Sequence, residues 1–233
     1  MNDKLLDYVN SEKDLGVIIS GKLSWNAQCE ALMQKANQHL GLVRRTCYFI
    51  VDKKQRRALY LSLIRSIFEH CCQVWAPYTH KSLNAFELIQ MRAVKWILKE
   101  SYKSYSDEEF LKKQWSLDLL PVNCKFILSD LTLFYKIVHN KVDILLPNYV
   151  SRIEPQDVKK VTRSSKAIAE GTDNYQFRCS VTPKVNAFKY SFFVRTVKQW
   201  NELPLYLRTK DNINTFTAAL KEHLWLILGL KPD

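Results

Sequence analysis

Between positions 44 and 65 the chain carries Arg44, Arg45, Lys53, Lys54, Arg56, Arg57 and Arg65, seven cations opposed there only by Asp52. Guanidinium and ammonium groups at this density suit charge-assisted hydrogen bonds to phosphate, contacts that position a nucleic acid without reading its sequence. Lys53, Arg56 and Arg57 fall at i, i+3 and i+4. That spacing puts them on one helix face, where like charges repel unless an anion lies beside them. A solvated helix face would use the same residue types. A second basic group, Lys184, Lys189, Arg195 and Lys198, is interleaved with Phe177, Phe188, Tyr190, Phe192 and Trp200, and a loop holds Lys159, Lys160, Arg163 and Lys166. Cations among rings suit single strands, whose bases stack and whose phosphates meet the charges. Helical spacing of Phe188, Phe192 and Gln199 favours core packing for the rings instead.

Other reactive groups form no such pattern. His70, Cys71, Cys72 and His80 are zinc-type ligands close in sequence, but Cys71 and Cys72 on a helix point about 100° apart and no C-x-x-C knuckle is present. Buried thiols on a helix face are the expected state. No Gly-x-Ser-x-Gly turn supports a nucleophile. Asp107, Glu108 and Glu109 follow Ser106 at a helix start, where a capping box and the macrodipole account for them. No catalytic residue, metal ligand or cofactor is therefore expected.

The elements that must position these residues read as one β element followed by helices. Val17 to Ile19 and Lys22 to Ser24 flank Ser20-Gly21, which suits a tight hairpin turn. Cys29, Leu32, Met33, Ala36, Leu40 and Val43 predict a helix from Asn26 to about Arg45 with Ser24 as N-cap. A second helix starts at Asp52 and runs to about Gln73, with Leu59, Leu63, Ile67 and Cys71 facing inward. A third, about Ser82 to Lys99, places Phe86, Ile89, Ala93, Val94 and Ile97 inward. A polar linker is expected over Ser101 to Ser106, then helices from Ser106 and from Pro121 to about Asn140. Residues 152–186 read as irregular and basic, with short strands near Tyr175 to Cys179. Helices over about 187–201 and 213–228 close the chain.

Composition bounds the function. With 233 residues, 47% of them hydrophobic, and only five glycines, the chain can bury a sizeable core. Net charge +12 points to polyanionic partners. The excess is not one tail: residues 1–100 hold 15 basic and 9 acidic groups and residues 101–233 hold 20 and 14, so each part is +6. The first 30 residues offer no signal-peptide core, and the longest apolar run, Leu224 to Leu230, is far short of the roughly 20 residues that span a bilayer. An intracellular protein, nuclear or cytoplasmic, with reduced cysteines and no membrane partner is expected.

The string Phe188 to Pro204, with Trp200-Asn201-Glu202-Leu203-Pro204 at its end, resembles the C-terminal tail of non-LTR retrotransposon (LINE or jockey-like) reverse transcriptases. Four further segments are similar to the same family in the same order. Asp14 to Ile19 with Lys22 to Trp25 resembles the hairpin leading from palm to thumb, and Leu63 to His70 with Val74 to Tyr78 the long thumb helix and its exit. Ile89 to Val94 and Leu133 to Asn140 resemble the next two helices. Asp14 and Val194 depart from the residues the family often carries there. The resemblance implies an RNA-directed DNA polymerase's C-terminal part: a palm-derived hairpin (residues 1–25), a helical thumb-like domain (26–100) and a helical C-terminal domain with minor β (101–233), mainly α throughout. It also implies contact with RNA or an RNA·DNA duplex. The chain has no Asp-Asp pair for the two-metal chemistry of such enzymes. The expectation is thus a truncated product or fragment that binds without polymerising, its possible partners including the missing fingers and palm of a longer polyprotein. The alternatives are a helical protein-interaction module, for which the charge serves solubility, and an inert fragment.

Overall fold

The computed structural model describes residues 9–100, 102–154 and 175–230. The fold is mainly helical, with two small antiparallel two-stranded sheets among the described residues. It divides into two compact units, the first ending at Val122 and the second beginning at Asn123. The division expected near residue 100 lies ahead of the observed one.

The first unit opens with strands β1 (Ser11–Asp14) and β2 (Val17–Ser20), paired Ser11 to Ser20 through Asp14 to Val17. The turn is therefore Leu15-Gly16 and not Ser20-Gly21. Both turn residues have positive φ, 46° and 88°, the handedness that matches the twist of a two-residue hairpin. Gln28 Oε1 accepts from Ile18 N at 2.9 Å and ties β2 to helix α1 (Asn26–Thr46). Ser24 does not cap α1; Trp25 occupies the N-cap position, while Ser24 N donates to Ser20 Oγ.

The second helical stretch is α2 (Lys53–Tyr60), a wide π turn (Leu61–Arg65) and α3 (Ser66–Glu69). Asp52 caps it by accepting from Lys54 N at 2.9 Å, as expected. It ends earlier than expected: His70 is extended and Cys71 left-handed, before the short α4 (Cys72–Trp75). Its inward stripe is also shifted by one residue. Arg56, Tyr60, Ile64, Phe68 and Cys72 are buried, whereas Leu63 is 42% exposed. A repeat of four drifts about 40° per step on a regular helix, and the π turn, with its wider i to i+5 closure, offsets that drift. Helix α5 (His80–Ile97) packs Phe86, Ile89, Ala93, Val94 and Ile97 inward as predicted, with Thr79 as N-cap. Phe86 meets Phe68 and Trp75 with ring centroids 5.3 and 5.8 Å apart.

The expected linker belongs to this unit. Glu100 accepts from Tyr105 Oη at 2.5 Å and pairs with Lys103 and Lys113. Helix α6 (Asp107–Ser116) is capped by Ser106, and Glu87, on α5, accepts from Gln114 and, at 2.8 Å, from Val122 N. Burial pushes the Glu87 carboxyl up from its ordinary value.

In the second unit, α7 (Val122–Val138) supplies Phe134 and Tyr135 to a core with Phe177, Trp200 and Phe216. Phe134 meets Phe177 and Trp200 edge-on at 5.3 and 5.2 Å, and Tyr135 stacks on Phe216 at 4.4 Å. Strand β3 (Val150–Arg152) pairs with β4 (Phe177–Cys179), where strand was expected. The helix predicted over 187–201 is broken at Tyr190-Ser191 into α8 (Asn186–Lys189) and α9 (Phe192–Glu202). The short α10 (Leu205–Arg208) and then α11 (Ile213–Ile227) follow. The Trp-Asn-x-Leu-Pro string is architecture. Trp200 Nε1 donates to Tyr175 O at 2.6 Å. Asn201 Oδ1 accepts from Phe177 N and its Nδ2 donates to Phe177 O, so the amide pairs with β4 much as a further strand would.

Candidate nucleic-acid interface

The basic cluster of the first unit splits into an inner and an outer set. Rotating the second helix by one residue, about 100°, carries Arg56 and Arg65 inside, 5% and 3% exposed. Arg56 donates through Nε to Ile50 O at 2.7 Å, through Nη1 to Trp96 O at 2.5 Å and through Nη2 to Tyr48 O at 3.4 Å. Its guanidinium also lies 5.1 Å from the Trp96 ring centroid. Arg65 donates to Gln90 Oε1, to Leu120 O at 3.0 Å and to Glu69. Tyr60 Oη joins the same amide at 2.9 Å, and burial pushes that phenol up to about 12. Arg57 donates to Leu117 O at 2.5 Å and pairs with Asp118 at 3.2 Å. Arg56 and Arg65 spend their donors inside the fold, which corrects the expectation that they face phosphate, and Arg57, half-buried, is tied through Nε and Nη2 to the Leu117-Asp118 turn.

The outer set is Arg44, Arg45, Lys53 and Lys54, all exposed. None has an ion-pair partner among the described residues. Arg44 and Arg45 stand in the last turn of α1 and Lys53 and Lys54 in the first turn of α2, so the two pairs bracket the loop Cys47 to Asp52. The macrodipole favours cations at the end of α1 but not at the start of α2. The macrodipole therefore does not account for Lys53 and Lys54. The loop between them is not loose: Arg56 holds two of its carbonyls, and Ile50 N donates to Cys47 O at 3.3 Å. Tyr48, Phe49 and Val51 point outward from it, 74%, 67% and 72% exposed. Helical periodicity does not single out these three, because they fall between two helices. Their signal was an apolar run inside a turn flanked by four cations.

In the second unit, Arg195 is also turned inward, donating to Asp130 Oδ2 at 2.7 Å and Oδ1 at 3.1 Å and to Tyr190 O. Burial pushes the Asp130 carboxyl up, against the pull of Arg195. Lys189 and Lys198 are exposed, with Lys189 Nζ 5.3 Å from the Tyr190 ring. Phe177 and Trp200 are core, and Phe188 packs edge-on against Tyr149. Lys159, Lys160, Arg163 and Lys166 lie outside the described residues. Among the described residues no group of His, Cys, Asp and Glu is arranged to hold a metal ion, and no helix is long and apolar enough to cross a membrane. Cys72 is buried, while Cys71 Sγ lies 3.6 Å from His70 Nε2, which in turn meets Leu15 O.

Compared with protein-family models, curated proteins and solved structures, the chain matches none of them.

Proposed function

We propose that the chain corresponds to the thumb and C-terminal tail of a non-LTR retrotransposon reverse transcriptase and that it binds RNA or an RNA·DNA duplex through phosphates, without sequence preference. The observation that carries this reading is the outer cation set: Arg44, Arg45, Lys53 and Lys54 around a loop that Arg56 fixes. Cations on an anchored backbone lose less conformational entropy on binding than cations on a mobile tail. The five sequence resemblances supply the identity of the polyanion. The proposed role is binding and not polymerisation, because no Asp-Asp pair is present to hold catalytic metals. It is exercised inside the cell, in nucleus or cytoplasm, beside the fingers and palm of a longer polyprotein where these are made.

A salt titration of binding to a short RNA·DNA hybrid tests the reading. Four duplex phosphate contacts give log affinity a slope of about −3.6 against log salt. A flat profile contradicts phosphate binding and favours a protein-interaction module.

A further inference from the structure

We infer that the tip between α1 and α2 also stacks an unpaired nucleobase on Tyr48 and Phe49, so that the preferred ligand is a duplex with a single-stranded extension. This rests on the nucleic-acid reading above. Tyr48, Phe49 and Val51 are the apolar residues of a six-residue loop that folding leaves largely in water, at 74%, 67% and 72% exposure. The two rings lie 5.9 Å apart and nearly perpendicular, at 86°, an edge-on arrangement that leaves ring faces uncovered. The backbone that carries them is also held in place. Arg56 binds the carbonyls of Tyr48 and Ile50, and its own third donor is tied to Trp96 O inside the unit. Two rings on an anchored backbone bind without the loop first being ordered.

The flanking charges decide what covers it. Arg44 and Arg45 precede the rings and Lys53 and Lys54 follow them, all four exposed. An apolar partner would cover the rings and leave these cations against it without counter-charges. A ligand that alternates planar apolar faces with anions meets both requirements, and single-stranded nucleic acid has that chemistry. An anionic bilayer also carries apolar and charged layers, but interfacial anchoring uses a broad apolar helix face. Here the exposed apolar surface of the tip is three side chains, the footprint of one or two bases.

The test compares an RNA·DNA hybrid that is blunt with one carrying a single-stranded overhang whose first unpaired base is 2-aminopurine. The wild-type chain is expected to bind the overhang form about tenfold more tightly, with the 2-aminopurine fluorescence quenched by stacking. Tyr48→Ala/Phe49→Ala removes exposed rings, so its thermal unfolding stays at the wild-type value. It should abolish both the tenfold gain and the quench while keeping wild-type affinity and salt slope for the blunt hybrid. Tyr206→Ala, an exposed ring in the second unit, should keep the gain. Equal wild-type affinity for both probes, or a double variant that keeps the gain, overturns the stacking inference and leaves duplex binding standing. Binding to neither probe overturns both. Phosphatidylserine vesicles bound more tightly than the overhang hybrid, and released by the double variant, assign the tip to a lipid surface and overturn it as well.

Discussion

Arg56 and Lys53 are three positions apart in a basic run, yet one is anchored by three carbonyls and the other meets only solvent. Burying a guanidinium without partners is prohibitive, so Arg56 is inside only because backbone oxygens wait there. Arg56→Met leaves those oxygens without their donors and should lower the unfolding free energy by about 3 kcal/mol. Lys53→Gln/Lys54→Gln should stay within about 0.5 kcal/mol of wild type. Denaturant midpoints decide between them, and equal midpoints contradict the anchoring role. Arg195 makes a companion case with a pH signature. Asp130 is 2% exposed and burial raises its carboxyl, so the folded state holds the proton more strongly than the unfolded chain. Stability contributed by that proton is present at low pH and lost as pH rises through the folded value. Arg195→Met removes the opposing cation and raises the carboxyl further. Its deficit should be about 3 kcal/mol or more at neutral pH and should shrink as pH falls through the variant's raised carboxyl value. Thermal unfolding across an acid-to-neutral pH series reads this, and a deficit constant over the series would rule out an uncompensated Asp130 charge as the cause.

At the scale of elements, helices were legible and their rotations were not. The third helix kept its predicted inward face because Phe86, Ile89, Ala93, Val94 and Ile97 form one unambiguous stripe. The second helix offered two adjacent stripes of similar apolarity, Leu59, Leu63 and Ile67 against Tyr60, Ile64 and Phe68. Periodicity cannot rank such stripes when a π turn changes the pitch between them. That single ambiguity misassigned Arg56 and Arg65, so only the exposed part of the candidate interface was readable. The hairpin failed for a different reason. Both Gly16 and Gly21 mark turns, and only strand register separates them. Gly16→Ala should cost about 1–2 kcal/mol, because φ is 88° there and an added Cβ meets His70 Nε2 at 3.4 Å. Gly21→Ala, at ordinary φ, should cost less than about 0.5 kcal/mol. A larger effect at Gly21 would contradict the observed register.

For the molecule as a whole, the boundary after Val122 was hidden because contacts such as Arg65 to Leu120 and Glu87 to Val122 join residues more than 30 positions apart. A chain ending at Val122 should therefore unfold in one cooperative transition by circular dichroism, whereas one ending at Glu100 should not. The charge is spread evenly, +6 in each of residues 1–100 and 101–233, so net charge alone would give diffuse, weak attraction to any polyanion. The proposed grip on a nucleic-acid backbone needs instead the four cations at one tip, Arg44, Arg45, Lys53 and Lys54. Binding of a blunt RNA·DNA hybrid should be compared at low salt between the wild-type chain and Arg44→Glu/Arg45→Glu/Lys53→Glu/Lys54→Glu, with Lys13→Glu/Lys22→Glu/Lys35→Glu/Lys81→Glu, four exposed lysines away from both basic groups, as a charge-matched control. The tip variant should lose about a hundredfold in affinity or more and the control only several-fold; equal losses in both would show that no particular surface holds the hybrid.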